Sequence, residues 1–149
     1  MTYETIREMP YFSIYNGIAI IGDGNCLFRC FEHLNINRGR FALFKYRPGY
    51  EHLNIGNWTA AEFRQAACDF LDRNWECMNA SHQVEDDKAD YIPRMRENHA
   101  WGTNMEIEAI AILLGIQVIG HRENGNTIDP NNPLGPNGIV HLLHGSRGM

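Results

Sequence analysis

At 149 residues, 44% of them hydrophobic, the chain can bury one core but hardly two, so residues 1–149 read as a single domain. Eighteen acidic against thirteen basic residues give a formal charge of −5, which argues against a nucleic-acid binder held by phosphate contacts and would tolerate a basic protein partner. No run approaches the roughly 18 apolar residues of a membrane span, and Glu4, Arg7 and Glu8 break the pattern of a signal peptide, so the expected location is the cytosol, or the host cytosol for a delivered effector.

The first predicted feature is the short apolar run Ile18-Ala19-Ile20-Ile21, which ends at the turn formers Gly22, Asp23, Gly24 and Asn25 and should feed a tight loop. Leu27, Cys30, Phe31 and Leu34 then recur at helical spacing, so a buried helix starts at about Asn25 or Cys26. From Asn35 to Asn57 the period is lost among Gly39, Pro48, Gly49 and Gly56, as in an irregular surface connection. Thr59 and Glu62 form a capping box ahead of the stripe Phe63, Ala66, Ala67, Phe70 and Leu71, which predicts a second helix.

The stretch Ser81 to Asp90 is polar and acidic and reads as a solvated loop, with a short helix from Tyr91 to Arg96. A second capping box, Thr103 and Glu106, opens a helix carrying Ile107, Ile110, Ala111 and Leu114, with Gly115 as its C-cap. Ile116–Ile119 and Ile139–Leu143 are short runs bounded by Gly, Asn and Pro, and they predict two strands of a small sheet beneath the helices. There is no internal repeat or low-complexity segment.

The cysteines, Cys26, Cys30, Cys68 and Cys77, are even in number, but a chain with this much core does not need disulfides. Zinc is disfavoured because no CxxC pair occurs, while Cys26 and Cys30 fit neighbouring turns of one helix. A helix N-terminus favours the thiolate, the form in which cysteine is a nucleophile, and the preceding glycines allow backbone N–H groups to turn inward as an oxyanion hole requires. On spacing alone Cys26 is more often a small buried hydrophobe, so the residues by themselves leave both readings open.

The run Gly22-Asp23-Gly24-Asn25-Cys26-Leu27-Phe28-Arg29 closely resembles the signature of the ovarian-tumour (OTU) cysteine proteases, in which Asp-Gly-Asn-Cys opens the catalytic helix. Trp101-Gly102-Thr103-Asn104-Met105-Glu106-Ile107-Glu108-Ala109 is similar to the family's downstream Trp-Gly-x-x-x-Glu-x-x-Ala block, and the likeness runs over roughly residues 11–149. The resemblance implies an α+β, papain-like OTU domain with a small β-sheet packed between helices. It implies a deubiquitinase in which Cys26 attacks the carbonyl of ubiquitin's terminal glycine and an acyl-enzyme follows, with no metal or organic cofactor. Asp23 is then expected to shape the oxyanion loop, with the Cys26 N–H as one donor, and Gly24, Asn25 and Trp101 to border the substrate's Gly-Gly tail. The implied partner is ubiquitin or polyubiquitin, with no nucleic acid or membrane, and the protein is expected to be a monomer. The plainer duties of Trp101 and Glu106 are core anchor and helix cap.

One departure stands out. The family places its general-base histidine just after the final strand, followed by an aromatic residue and Asp or Asn. Here Ile139-Val140-His141-Leu142-Leu143-His144 is followed by Gly145-Ser146-Arg147-Gly148-Met149. Three readings follow: the domain stops just short of the family's last strand and its base; His144 serves as base; or the chain is a non-catalytic relative. Strand alternation puts His141 and His144 on opposite faces, and His144, nearer the turn, is the preferred candidate. His33, His52, His82, His99 and His121 match nothing catalytic and read as surface or structural residues, His99 being the least certain because it lies two before Trp101. The segments Asn35–Asn57 and Glu85–Asp90 are candidates for gripping ubiquitin. The competing functions are an inactive ubiquitin-binding module and a protease for another ubiquitin-like modifier or for a viral or mobile-element polyprotein.

Overall fold

A computed structural model describes residues 11–14, 24–34, 58–122, 127–128 and 138–145. The apolar run 18–21, Asp23 and the irregular segment 35–57 lie outside the described residues. Among the described residues there are five helices: α1 (Cys26–Glu32), α2 (Ala60–Arg73), α3 (Trp75–His82), α4 (Lys88–Met95) and α5 (Asn104–Leu114).

Helix α2 starts where the capping box places it. The Thr59 hydroxyl accepts from the Glu62 N–H at 3.4 Å, and the Thr59 N–H donates to Glu62 Oε1 at 3.2 Å. The Ala60 N–H donates to the carboxylate of Glu32 at 2.9 Å, so the last residue of α1 closes the positive end of α2. Of the predicted stripe, Phe63, Ala67, Phe70 and Leu71 are buried and Ala66 is half-buried, while Cys68 joins the buried face without having been part of the stripe. Helix α5 has the second predicted box and ends at Gly115, whose φ of 65° is the left-handed cap that glycine adopts without strain.

Among the described residues four strands, β1 (Tyr11–Ile14), β2 (Gln117–Arg122), β3 (Thr127–Ile128) and β4 (Ile139–Gly145), form one sheet in the order β1-β4-β2-β3. The central pair β2 and β4 is parallel, with Val118 opposite Val140 and Gly120 opposite Leu142. β1 runs antiparallel to β4, with Ile14 opposite Leu142 and Phe12 opposite His144. Val118, Val140 and Leu142 are buried and join the apolar residues of all five helices in one core. The architecture is α+β.

One expectation needs correction, and one helix carries no sequence signal. The acidic stretch Ser81–Asp90 is not one solvated loop, because α3 continues to His82 and α4 begins at Lys88. Its acidic residues do local work: Asp87 caps α4 by accepting from the Asp90 N–H at 3.0 Å, and Asp86 pairs with Arg94 at 2.5 Å. Helix α3 itself gave no sequence signal, since Met78 is its one buried residue, so no apolar stripe exists to be seen. It is held partly by Trp75, whose ring lies 5.3 Å from that of Tyr91.

Candidate active site

Cys26 is the first residue of α1 and is 1% exposed, so its thiol is shielded from bulk solvent. Asn25, the N-cap, makes no side-chain cap. Its amide is engaged elsewhere: Oδ1 accepts from Arg64 Nη2 at 2.6 Å and from the His99 N–H at 3.1 Å. Nδ2 donates to Asn98 Oδ1 at 2.9 Å and lies 3.4 Å from His99 Nδ1. The loop before the cysteine is therefore bonded side by side to the segment that precedes Trp101.

Steric fit tightens this junction. A Cβ on Gly24 would lie 1.6 Å from the carbonyl oxygen of His99, so any side chain there collides with backbone. His99 itself has φ 70°, a left-handed conformation that aims this segment at the Gly24 loop. One turn further on, a Cβ on Gly102 would lie 2.5 Å from the Leu27 side chain. The two sequence blocks that carry the resemblance thus meet as one unit, Gly24 and Asn25 against Asn98 and His99, and Leu27 against Gly102.

Behind the junction stands Arg64, on the inner face of α2 and only 2% exposed. It donates to the carbonyls of Gly24 (3.1 Å) and Met95 (2.9 Å) as well as to Asn25, and its guanidinium lies 4.4 Å above the Phe28 ring. In the sequence Arg64 is hidden by the apolar stripe of its neighbours Phe63, Ala66 and Ala67. The available signal was its position three before Ala67 and seven before Leu71, a charge on a face that must be buried. His99, read as surface or structural, is a structural part of this junction.

All four cysteines are free thiols. Burial, and then the neighbouring Cys26, push the Cys30 thiol well above its ordinary range. Burial, then the Glu106 carboxylate, push Cys68 up to about 12. Glu106 is the cap that the sequence predicts: its Oε1 accepts from the Thr103 N–H at 2.7 Å, and its Oε2 accepts from the Tyr91 hydroxyl at 2.6 Å. Its complete burial raises its pKa above the ordinary carboxylate value, with the Tyr91 and Thr103 hydrogen bonds opposing. Trp101 is half-buried and packs on the core beside this segment.

The histidines separate into different settings. His141 is exposed, between the buried Val140 and Leu142, and its Nδ1 lies 2.9 Å from Nε2 of His121. The two rings pair across β2 and β4, centroids 5.1 Å apart, on the side of the sheet away from those core residues. His82 pairs with Glu108. The backbone of His144 lies on β4 opposite Phe12 and Arg122, while its side chain and all of Asp23 lie outside the described residues. Among the described residues no group of three metal-ligating side chains occurs, and no helix is long and apolar enough to cross a membrane.

The protein-family model of the OTU-like cysteine proteases matches residues 21–131. Among solved structures, the OTU domain of OTUD1 aligns with a TM-score of 0.56 at 18% identity, covering 95% of this chain and 83% of that one. The viral OTU domain protease from Dera Ghazi Khan virus gives a TM-score of 0.57 at 21% identity, covering 93% and 82%. These likenesses establish a shared fold. No curated protein sequence matches the chain significantly.

Proposed function

Because the chain belongs to the family of OTU-like cysteine proteases, we propose that it is a thiol-dependent deubiquitinase with Cys26 as its nucleophile. The observation that carries this reading is the junction itself: a cysteine opens a buried helix, and the loop before it is bonded to the segment leading into Trp101.

The Cys26 thiolate adds to the carbonyl carbon of ubiquitin's C-terminal glycine, and the oxygen takes up the negative charge. Backbone N–H groups at the start of α1 stabilise that oxyanion, while Asp23 shapes the loop that presents them. Collapse of the adduct breaks the C–N bond; the lysine amine leaves with a proton from the general base, and an acyl-enzyme remains. Water, deprotonated by the same base, then releases ubiquitin and restores the thiol. Trp101, Gly24 and Asn25 border the channel for the Gly-Gly tail. His144 is the candidate base: its position in β4 has the same parity as Val140 and Leu142, whereas His141 belongs to the exposed side.

In this reading residues 1–149 form one catalytic domain, monomeric, cytosolic and without a cofactor, whose partner is ubiquitin or polyubiquitin. The test is fluorophore release from a ubiquitin C-terminal amide. Turnover is expected from the full chain and not from Cys26→Ala, and a drop of about 10²-fold or more is expected for His144→Ala. Undiminished turnover in Cys26→Ala would overturn the assignment, and undiminished turnover in His144→Ala would move the base elsewhere.

A further inference from the structure

We infer that Arg64 is a positioning residue for the oxyanion loop: it locks the Gly24–Asn25 peptide in the orientation catalysis needs. The inference rests on the protease reading above. Burying a guanidinium is costly unless its hydrogen bonds are well made, and an apolar residue on the inner face of α2 would pack there without that cost. What the charge obtains in exchange is control of the chain just before Cys26.

Two consecutive peptides are fixed through their carbonyls. The Asn25 carbonyl accepts from the Arg29 N–H at 2.9 Å, the first bond of α1, which directs the Cys26 N–H out of the helix N-terminus. The Gly24 carbonyl accepts from Arg64 Nη2 at 3.1 Å. In a trans peptide the carbonyl and the following N–H point to opposite sides, and no cis bond occurs among the described residues, so the Asn25 N–H is directed away from Arg64. Gly24 has no side chain to restrict its own rotation, and a side chain cannot be supplied because the His99 carbonyl occupies the space. An external lock is therefore required, and Arg64 is placed to provide it.

The same nitrogen also holds Asn25 Oδ1 at 2.6 Å, while Nη1 holds the Met95 carbonyl at 2.9 Å at the end of α4. One planar fork thus references the loop to α2 and α4 at once. A lysine, with one nitrogen at the end of a flexible stem, cannot reproduce this. Donation to the Gly24 carbonyl also polarises the peptide and strengthens the Asn25 N–H as a donor.

The test uses the full chain as wild type, Arg64→Lys and Arg64→Met, with three readings: thermal unfolding, steady-state kinetics on a ubiquitin C-terminal amide, and the crystal structure of each variant. For folded Arg64→Met, kcat should fall about 10²-fold, the scale of losing one oxyanion donor, with KM changed by less than about threefold. Arg64→Lys should fall between, and the Gly24–Asn25 peptide plane should be rotated in the Met variant. A kcat within about threefold of wild type in either folded variant, or an unmoved peptide plane, overturns the inference. A purely structural role would lower the unfolding temperature without separating kcat from KM. If Arg64→Met does not fold, Arg64→Lys decides by the same criteria. If the wild type does not cleave the ubiquitin amide, the protease reading fails, and the peptide plane alone then decides whether Arg64 is the lock.

Discussion

A methyl group added at Gly24 would place carbon 1.6 Å from the His99 carbonyl oxygen, and both sides of that contact are backbone. Gly24→Ala must therefore separate the two loops, and it is expected to cost about 3 kcal/mol or more in denaturant unfolding. Gly102→Ala meets only the Leu27 side chain, which can turn aside, so a cost of about 1–2 kcal/mol is expected. Equal costs would contradict the described junction. Thiol chemistry offers a second check at this scale. Cys77 is exposed, whereas Cys30 and Cys68 are buried with raised thiols, so iodoacetamide at neutral pH should modify Cys77 and leave Cys30 and Cys68 intact until the protein unfolds. Cys26, Gly24 and Asn25 stand out in the sequence as candidates because they form a contiguous motif. Arg64 and His99 do not, because their roles arise from contacts 40 and 74 residues away along the chain.

Helix α5 opens on a buried carboxyl, and this gives it a pH dependence. Glu106 in the folded state holds its proton more tightly than in the unfolded chain, where it titrates near 4.5. Its favourable contribution is thus complete below pH 4.5 and is lost as pH rises through the higher folded value. Stability measured from pH 4 to 8 should fall less with rising pH in Glu106→Gln than in wild type; identical slopes would contradict the shift. The start of α2 is a different case, in which the Thr59 hydroxyl serves the Glu62 N–H and the Glu32 carboxylate serves the Ala60 N–H. Thr59→Ala should cost about 1 kcal/mol. The capped helices α2 and α5 were readable because box and stripe agree. Helix α3 was not, since it buries too little to pattern its sequence, and the start of α4 was hidden by acidic residues whose capping and pairing duties mimic a solvated loop.

At the scale of the molecule, α2 is the organising element: it packs on α1, α4 and α5, and it carries Arg64 to the loop before Cys26. The sheet brings the early strand β1 beside the last strand β4 and so sets His144 opposite Phe12. Of the strands described, β2 and β4 could be seen in the sequence as apolar runs; β3, Thr127–Ile128, is too short to show a period, and the pairing of the short β1 is fixed by the distant β4 rather than by local pattern. The helices at Cys26 and Asn104 were legible from two motifs, while the way those motifs close on one another was not. The most direct test is to incubate the full chain, and the chain with Cys26→Ala, with ubiquitin carrying a C-terminal electrophile and to read intact mass. One ubiquitin adduct per chain is expected, formed with Cys26 and absent from Cys26→Ala; a folded wild type that forms no adduct, or an adduct that persists without Cys26, would contradict the assignment of Cys26 as nucleophile.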